Sequence, residues 1–199
     1  MKVAIILNSP VPPVGVAEKD VIFADGAYKH KDLYKNKNVI AVVGDFDTLK
    51  YKPEGVLVVS LNEEKDFTDG ERAVRYAKEV GADEIIIYGA TDGKIDHVLG
   101  NIFLLKIAEE IGVKAKIKGE GFTVRLICGK NEFNVNRGKV VSIIPFGDYC
   151  VVTDSAGLYY PLNNLTLTNG QTLGLSNKAV SEKISLDVIK GKALIVIYD

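Results

Sequence analysis

Apolar residues run in short unbroken blocks through the first half of the chain, at 3–7, 21–24, 39–43, 56–61 and Glu84–Tyr88. Unbroken blocks, rather than an alternation of period two, mark strands covered on both faces, as in a parallel sheet. Between them lie two helical patterns. Thr68-Asp69-Gly70-Glu71 has the form of a capping box, with Thr68 as N-cap and Glu71 reaching back, and Ala73, Val74, Ala77 and Val80 follow at helical spacing. Gly81 is the expected stop. The second pattern covers 95–111, with Val98, Leu99, Ile102, Leu105, Ala108 and Ile111 on the side expected to be buried, and Gly112 ends it.

Beyond Gly112 the texture changes. Strand-like stretches at 114–118, 122–128, 132–135, 139–145 and 193–198 are separated by turn signals such as Lys118-Gly119-Glu120-Gly121 and Asn136-Arg137-Gly138. No pattern long enough for a three-turn helix stands out there. The expected fold class is therefore α/β: a mostly parallel, Rossmann-like α/β domain over 1–112, then a small all-β sandwich over 113–199. So small a β-domain has a thin core and is expected to pack against the first domain or a second chain.

Composition narrows the function classes. Of 199 residues 47% are hydrophobic and 26% charged, the balance of a globular protein, and the formal net charge is −1. There is no whole-molecule basic field of the kind nucleic-acid binders use. The lysine-rich stretch at 29–37 reads as ordinary solvated surface, and His30 within it carries no functional expectation. No stretch approaches the ~20 apolar residues of a membrane span, and the opening apolar run is too short for a secretory signal. Cys128 and Cys150 lie in apolar surroundings without metal-ligand spacing and read as buried free thiols of a cytoplasmic protein. Neither nucleic acid nor membrane is expected as a partner.

The informative feature is where the acids fall. The first expected strand ends at Asn8 and the second at Asp25. The third runs into Gly44-Asp45-Phe46-Asp47, the fourth into Lys65-Asp66-Phe67-Thr68-Asp69, and the fifth into Gly89-Ala90-Thr91-Asp92-Gly93-Lys94-Ile95-Asp96-His97. In parallel α/β sheets ligands bind outside these carboxyl ends. Carboxylates gathered in one crevice repel unless something positive is bound, and a hard divalent cation such as Mg²⁺ answers that with oxygen ligands, waters and substrate phosphates. Asp45 and Asp47, two apart, point the same way from extended backbone. The 89–94 loop, with two glycines opening a helix, suits phosphate. It is not a Walker A loop, being a residue short and lacking the following Ser/Thr, and the absence of Gly-x-Gly-x-x-Gly after any strand argues against a dinucleotide oxidoreductase. His97, in the first turn of the helix, reads as a packing or capping residue.

These residues resemble the thiamine pyrophosphokinase family over nearly the whole chain. Gly44-Asp45-Phe46-Asp47-Thr48 is similar to its Gly-Asp-Phe-Asp-Ser motif, and Lys65-Asp66-Phe67-Thr68-Asp69 to its Asp-x-Thr-Asp. The run from Gly89 to Ile102 resembles Gly-Ala-x-Gly-Gly-Arg-x-Asp-His-x-x-Ala-Asn. Gly157-Leu158-Tyr159-Tyr160-Pro161-Leu162 and Ser176-Asn177 resemble elements of that family's β-domain.

The resemblance implies a homodimeric enzyme that transfers the diphosphoryl group of ATP to the hydroxyl of thiamine and releases AMP. It implies Asp45, Asp47, Asp66 and Asp69 as Mg²⁺ ligands, with Asn8, Asp25, Thr68, Gly89, Thr91, Gly93 and Lys94 handling the nucleotide. Thiamine would touch Asp96, Tyr160, Ser176 and Asn177, lying between the α/β domain of one chain and the β-domain of the other. Asp69 or Asp96 would orient the attacking hydroxyl or take its proton, and Tyr160 would offer a face to the cationic rings. Three positions depart from the family pattern: Asp25-Gly26-Ala27 stands for Asp-Gly-Gly, Asp92-Gly93-Lys94 for Gly-Gly-Arg, and Tyr160 for Trp. Two alternatives stay open at this point: a diphosphokinase for another hydroxymethyl heterocycle such as a pterin alcohol, and a non-catalytic nucleotide- or thiamine-binding sensor.

Overall fold

A computed structural model describes residues 1–60 and 67–199. Its contacts divide the chain into two compact units, Met1–Gly119 and Glu120–Asp199.

The first unit contains β1 (Lys2–Ile6), β2 (Asp20–Ala24), a 3-10 segment (Asp25–Tyr34), β3 (Asn38–Gly44), β4 (Val58–Ser60), α1 (Asp69–Glu79), β5 (Glu84–Tyr88), α2 (Ile95–Glu110) and β6 (Lys114–Gly119). The strands run in the order β6-β5-β1-β2-β3-β4, and every pairing is parallel. Burial on both faces explains the unbroken apolar blocks. Ala4, Ile6, Val21, Phe23, Val42, Ile86 and Tyr88 pack into one cluster with Ala27, Tyr28 and Tyr34, while Val3, Ile5, Ile22, Ile85 and Ile87, alternating with them, are also fully buried. Each buried Val, Ile or Phe among them contributes about 1.5–3 kcal/mol of hydrophobic stabilisation. The lysine-rich stretch is only partly what its composition suggests. Its lysines, Lys37 apart, are exposed, but Tyr28 and Tyr34 turn inward and meet Phe23 edge-to-face, with centroids 5.4 and 5.3 Å away.

Both helices fall where the patterns put them, with differences in detail. Thr68 caps α1, its hydroxyl accepting from the Glu71 amide at 3.2 Å. Glu71 does not complete the box; its carboxylate takes the Arg75 guanidinium instead, at 2.7 and 3.0 Å. In α2 the buried residues are Leu104, Leu105 and Ala108, whereas Leu99 is 54% exposed, with Ile95 and Phe103 beside it in the same state. This helix is apolar nearly all round, so periodicity misjudges which side faces in. The stretch at 114–118, read as opening the β half, pairs parallel with β5 as β6, so the contact division falls at Gly119 rather than Gly112.

The second unit is antiparallel throughout: β7 (Phe122–Asn134), β8 (Val140–Ala156), β9 (Leu165–Thr168), β10 (Asn177–Lys178) and β11 (Lys183–Tyr198). Their order is β10-β8-β11-β7, with β9 on β8. The main strands are longer than the turn signals suggest: 122–128 and 132–135 are one strand, β7, and β8 and β11 run well beyond 139–145 and 193–198, because apparent breaks are irregularities within a strand. Around Gly191 the register of β11 shifts against both neighbours. Gly191 has φ +70°, and a Cβ there would lie 2.2 Å from the Tyr149 carbonyl oxygen, so glycine marks a bulge and not a turn. A core built on Ile127, Val141, Ile143, Cys150, Val152, Leu167, Ile184 and Ile195 fills the unit. Cys150 is buried as expected; Cys128, on an outward-facing position of β7, is exposed. No helix among the described residues is long and apolar enough to cross a membrane.

Candidate active site

Parallel pairing brings the carboxyl ends of β1, β2 and β3 to one edge, where the starts of α1 and α2 join them around a cleft of about 760 Å³. Its lining includes Asn8, Asp25, Asp47, Thr68, Asp69 and Asp96, all singled out from the sequence, together with Phe67, Glu71, His97, Asn101 and Phe103.

Three carboxylates form the centre of this edge. Asp25, Asp45 and Asp47 each present an oxygen, and these atoms all lie within 4.8 Å of one another. The backbone holds them there by several constraints. Asp25 follows β2 at φ +32°, outside the ordinary range for a residue with a side chain. Gly44 passes so close that a Cβ on it would lie 2.7 Å from the Asp25 Cβ. Glycine at 44 is therefore required by this close approach and not by a turn. The Asp47 amide donates to Asp45 Oδ1 at 3.1 Å, and the Thr48 hydroxyl donates to Asp47 Oδ1 at 3.1 Å.

Asp25 is the informative member. It is 2% exposed, and its Oδ2 accepts from the Thr48 amide at 3.1 Å, while its buried Oδ1 has no hydrogen-bond partner among the described residues. A buried carboxylate oxygen facing no donor is costly, and two further carboxylates alongside add repulsion. A hard cation with oxygen ligands relieves both, so the residues present fit Mg²⁺. Asp25, which the resemblance placed with the nucleotide, thus joins Asp45 and Asp47. Asp69 lines the same cleft, and Asp66 lies outside the described residues.

The 89–94 loop stands apart from the cleft lining. Gly89 and Gly93 have φ +73° and +99°, but neither they nor Thr91 and Lys94 line the cleft. The loop is tied to the cleft through Asn101, whose Nδ2 donates to the Ala90 carbonyl at 3.1 Å. Asp96 accepts from the His97 amide at 3.0 Å in the first turn of α2. Thr48 and Asn101 lie inside the quoted motifs but carry no signal of their own there, since hydroxyl and amide each have an ordinary capping role; His97, which reads as a packing or capping residue, lines the cleft.

Tyr160 and Ser176 meet in the second unit, in a hollow of about 570 Å³ shared with Arg137, Tyr159 and Lys178. Tyr160 is 63% exposed and stands edge-on to Tyr159, centroids 4.8 Å apart. Asn177 is buried beneath it. Its Oδ1 accepts from the amides of Tyr160 (3.0 Å) and Lys178 (2.8 Å), and its Nδ2 donates to the Tyr160 carbonyl (2.7 Å). That side chain is committed to holding Tyr160 in place and is not part of the hollow's lining.

Comparison with known proteins defines first a class, a two-part transferase. Residues 16–117 match the family model "Thiamin pyrophosphokinase, catalytic domain", and residues 130–192 match "Thiamin pyrophosphokinase, vitamin B1 binding domain". The thiamine pyrophosphokinase of Bacillus subtilis is 31% identical over 174 residues, covering 79% of this chain and 77% of that one; a thiamin pyrophosphokinase of Caenorhabditis elegans is 23% identical over 181 residues, covering 83% and 73%. Among solved structures, those of the thiamine pyrophosphokinases of Bacillus subtilis and Geobacillus thermodenitrificans share this fold at TM-scores of 0.86 and 0.84. Both are 24% identical and cover 100% of this chain, with 99% and 98% of their own. The chain belongs to the thiamine pyrophosphokinase family. It is an enzyme of that class, and the family's reaction is the transfer of the diphosphoryl group of ATP to thiamine.

Proposed function

We propose that the cleft of the first unit carries out this transfer with Mg²⁺ held by Asp25, Asp45 and Asp47. The observation that carries the proposal is the buried, unpartnered Oδ1 of Asp25 beside two more carboxylates. Asp69 lines the cleft, and Asp66 shares the Asp-x-Thr-Asp motif with it; both are kept as metal ligands on that ground. When bound, the ion supplies charge neutralisation and alignment of the phosphates.

The chain's own residues do the rest. The thiamine hydroxyl oxygen bonds to the β-phosphorus of ATP, the bond from that phosphorus to the bridging oxygen breaks, and AMP leaves. Asp69 and Asp96, cleft carboxylates outside the trio, are the candidates to take the hydroxyl proton. Asn8 and Thr68 contact the nucleotide from the cleft wall. Gly89, Thr91, Gly93 and Lys94 offer the adjoining loop. Tyr160 stacks on the cationic rings of thiamine, Ser176 hydrogen-bonds at the same hollow, and Asn177 fixes the Tyr160 backbone.

The finer architecture belongs to the same proposal. The first part, 1–112 by texture and carried on to Gly119 by β6, is a Rossmann-like catalytic domain, and the rest of 113–199 a β-sandwich for thiamine binding and dimerisation. The enzyme is a cytoplasmic homodimer in which the β-domain of one copy serves the cleft of the other. Supporting the dimer are the exposed apolar residues Ile95, Leu99 and Phe103 on α2 and Leu173, Leu175 and Val180 in the second unit.

The test is mass spectrometry of products from purified protein, thiamine and ATP, with Mg²⁺ or with chelator. Thiamine diphosphate and AMP in the Mg²⁺ sample alone are expected. Equal product with chelator would remove the metal assignment. Product from a pterin alcohol and none from thiamine would move the acceptor.

A further inference from the structure

The cleft has an unbalanced charge. Asp25, Asp47, Asp69, Glu71 and Asp96 line it, and its described lining contains no lysine or arginine. The co-substrate is a triphosphate, itself strongly anionic. Sites that move phosphoryl groups combine metal with lysine or arginine at the phosphates. A cation has to reach this cleft from just outside its lining.

Lys29 is in position to do so. It follows Asp25 along the 3-10 segment, and its Nζ donates to Oδ1 of Asn8, a lining residue, at 3.2 Å. The backbone between is seated tightly, since a Cβ on Gly26 would lie 2.6 Å from Thr48 Cγ2 and 2.8 Å from Asn8 Nδ2. The root of the side chain is therefore fixed while its ammonium is exposed. Among the described residues Lys29 forms no ion pair, and its bond is to a neutral amide oxygen. Arg75, beside the cleft residue Glu71, is already committed, being paired with it and lying over the Phe67 ring at 4.9 Å. A phosphate oxygen is a stronger partner for an ammonium than an amide oxygen is.

We propose that Lys29 binds the β- and γ-phosphates of ATP, the group that is transferred, beside the Asp25–Asp45–Asp47 trio. This rests on the reading of the cleft as the nucleotide site. Lys29 neutralises charge on the moving group and is unchanged by the reaction; the hydroxyl proton still goes to a cleft carboxylate.

Calorimetric titration separates this from a structural role. The probes are α,β-methylene-ATP, whose bridging carbon blocks transfer, and AMP, which lacks the transferred group, both with Mg²⁺. Lys29→Met is expected to weaken the methylene analogue about tenfold and raise the KM for ATP to match. AMP affinity, the KM for thiamine and the melting temperature stay as in the wild type, and Lys29→Arg restores analogue binding. Unchanged analogue affinity, or parallel weakening of analogue and AMP, would overturn the role. A wild-type protein that binds neither nucleotide would instead bring down the assignment of the cleft, and this inference with it.

Discussion

The two units show how topology decides what a sequence makes visible. In the first, parallel strands all end at one edge, so the residues that follow each strand meet in space although they are far apart in the chain. Asn8, Asp25, Asp45, Asp47 and Asp96 share one edge for this reason. In the second, antiparallel strands send successive loops to opposite ends, and the residues of interest are scattered among them. Tyr160 and Ser176 share a hollow because the 157–160 segment is tied to β10 and the residues after it, through the Asn177 side chain and through the Tyr159 amide, which donates to the Lys178 carbonyl at 2.8 Å. One site is marked by charge, the other by a buried bracket around an exposed ring. The contrast predicts that chemistry fails on damage to the first and affinity on damage to the second.

The largest effect is expected from Asp47→Asn, with a loss in kcat of about 10³-fold or more if the trio holds the metal. Mg²⁺ should raise the melting temperature of the wild type by mass action and leave that of the variant unmoved. Full turnover in Asp47→Asn would break the contrast outright. Next is Gly44→Ala, whose added methyl meets the Asp25 Cβ at 2.7 Å. Displacing Asp25 by a fraction of an ångström to about 1 Å should cost on the order of 10²-fold in kcat without touching any ligand atom. Steady-state kinetics beside circular dichroism would check it.

In the second unit the expected losses are smaller and of another kind. Tyr160→Ala should raise the KM for thiamine about tenfold and leave that for ATP unchanged, as expected for a lost cation–π face. Asn177→Ala strands the amide and carbonyl of Tyr160 and should lower stability by about 1–3 kcal/mol in denaturant titration. A drop in kcat from either variant, with KM unaltered, would blur the distinction between the units.

The smallest effect concerns the core of the first unit at alkaline pH. Burial, then the Glu18 carboxylate that accepts from its hydroxyl at 2.8 Å, push the Tyr88 pKa well above the ordinary tyrosine value; burial also raises that of Tyr34. Because the folded value is raised, the stabilisation is complete below about pH 10, where unfolded tyrosine begins to ionise, and is lost as pH rises further. Tyr88→Phe should make the fall in melting temperature above that pH less steep, leaving the part due to Tyr34.

Much of this was legible because local signals and global fold agree. Blocks of β-branched residues mark strands covered on both faces, and Thr68 before an amphipathic run marks the start of α1. Elsewhere local signals mislead. Glycine at positive φ reads as a turn, yet Gly191 sits within β11, so strands appear shorter in the sequence than they are. Helix α2 is apolar on most sides, so its pattern places Leu105 and Ala108 inward correctly but misses Leu104, which faces in, and puts Leu99 inside, which faces out. Lys29 carries no motif, and its place beside Asn8 follows from the turn after β2.

By itself the amino-acid sequence determined the α/β-then-β order, the positions of most strands and both helices, and the set of acids that follow the strands. Spacing and hydrophobic pattern are local properties, and they survive without knowledge of what lies across the sheet. Only the tertiary structure decided which acids meet. Asp25 and Asp45 are brought together because β2 and β3 are parallel neighbours, and Gly44 leaves room for Asp25 at the close approach. It also decided that Asn177 supports Tyr160 from below, through hydrogen bonds between residues 17 apart in the chain. A contact between distant residues depends on strand order and register, which no single stretch of sequence encodes.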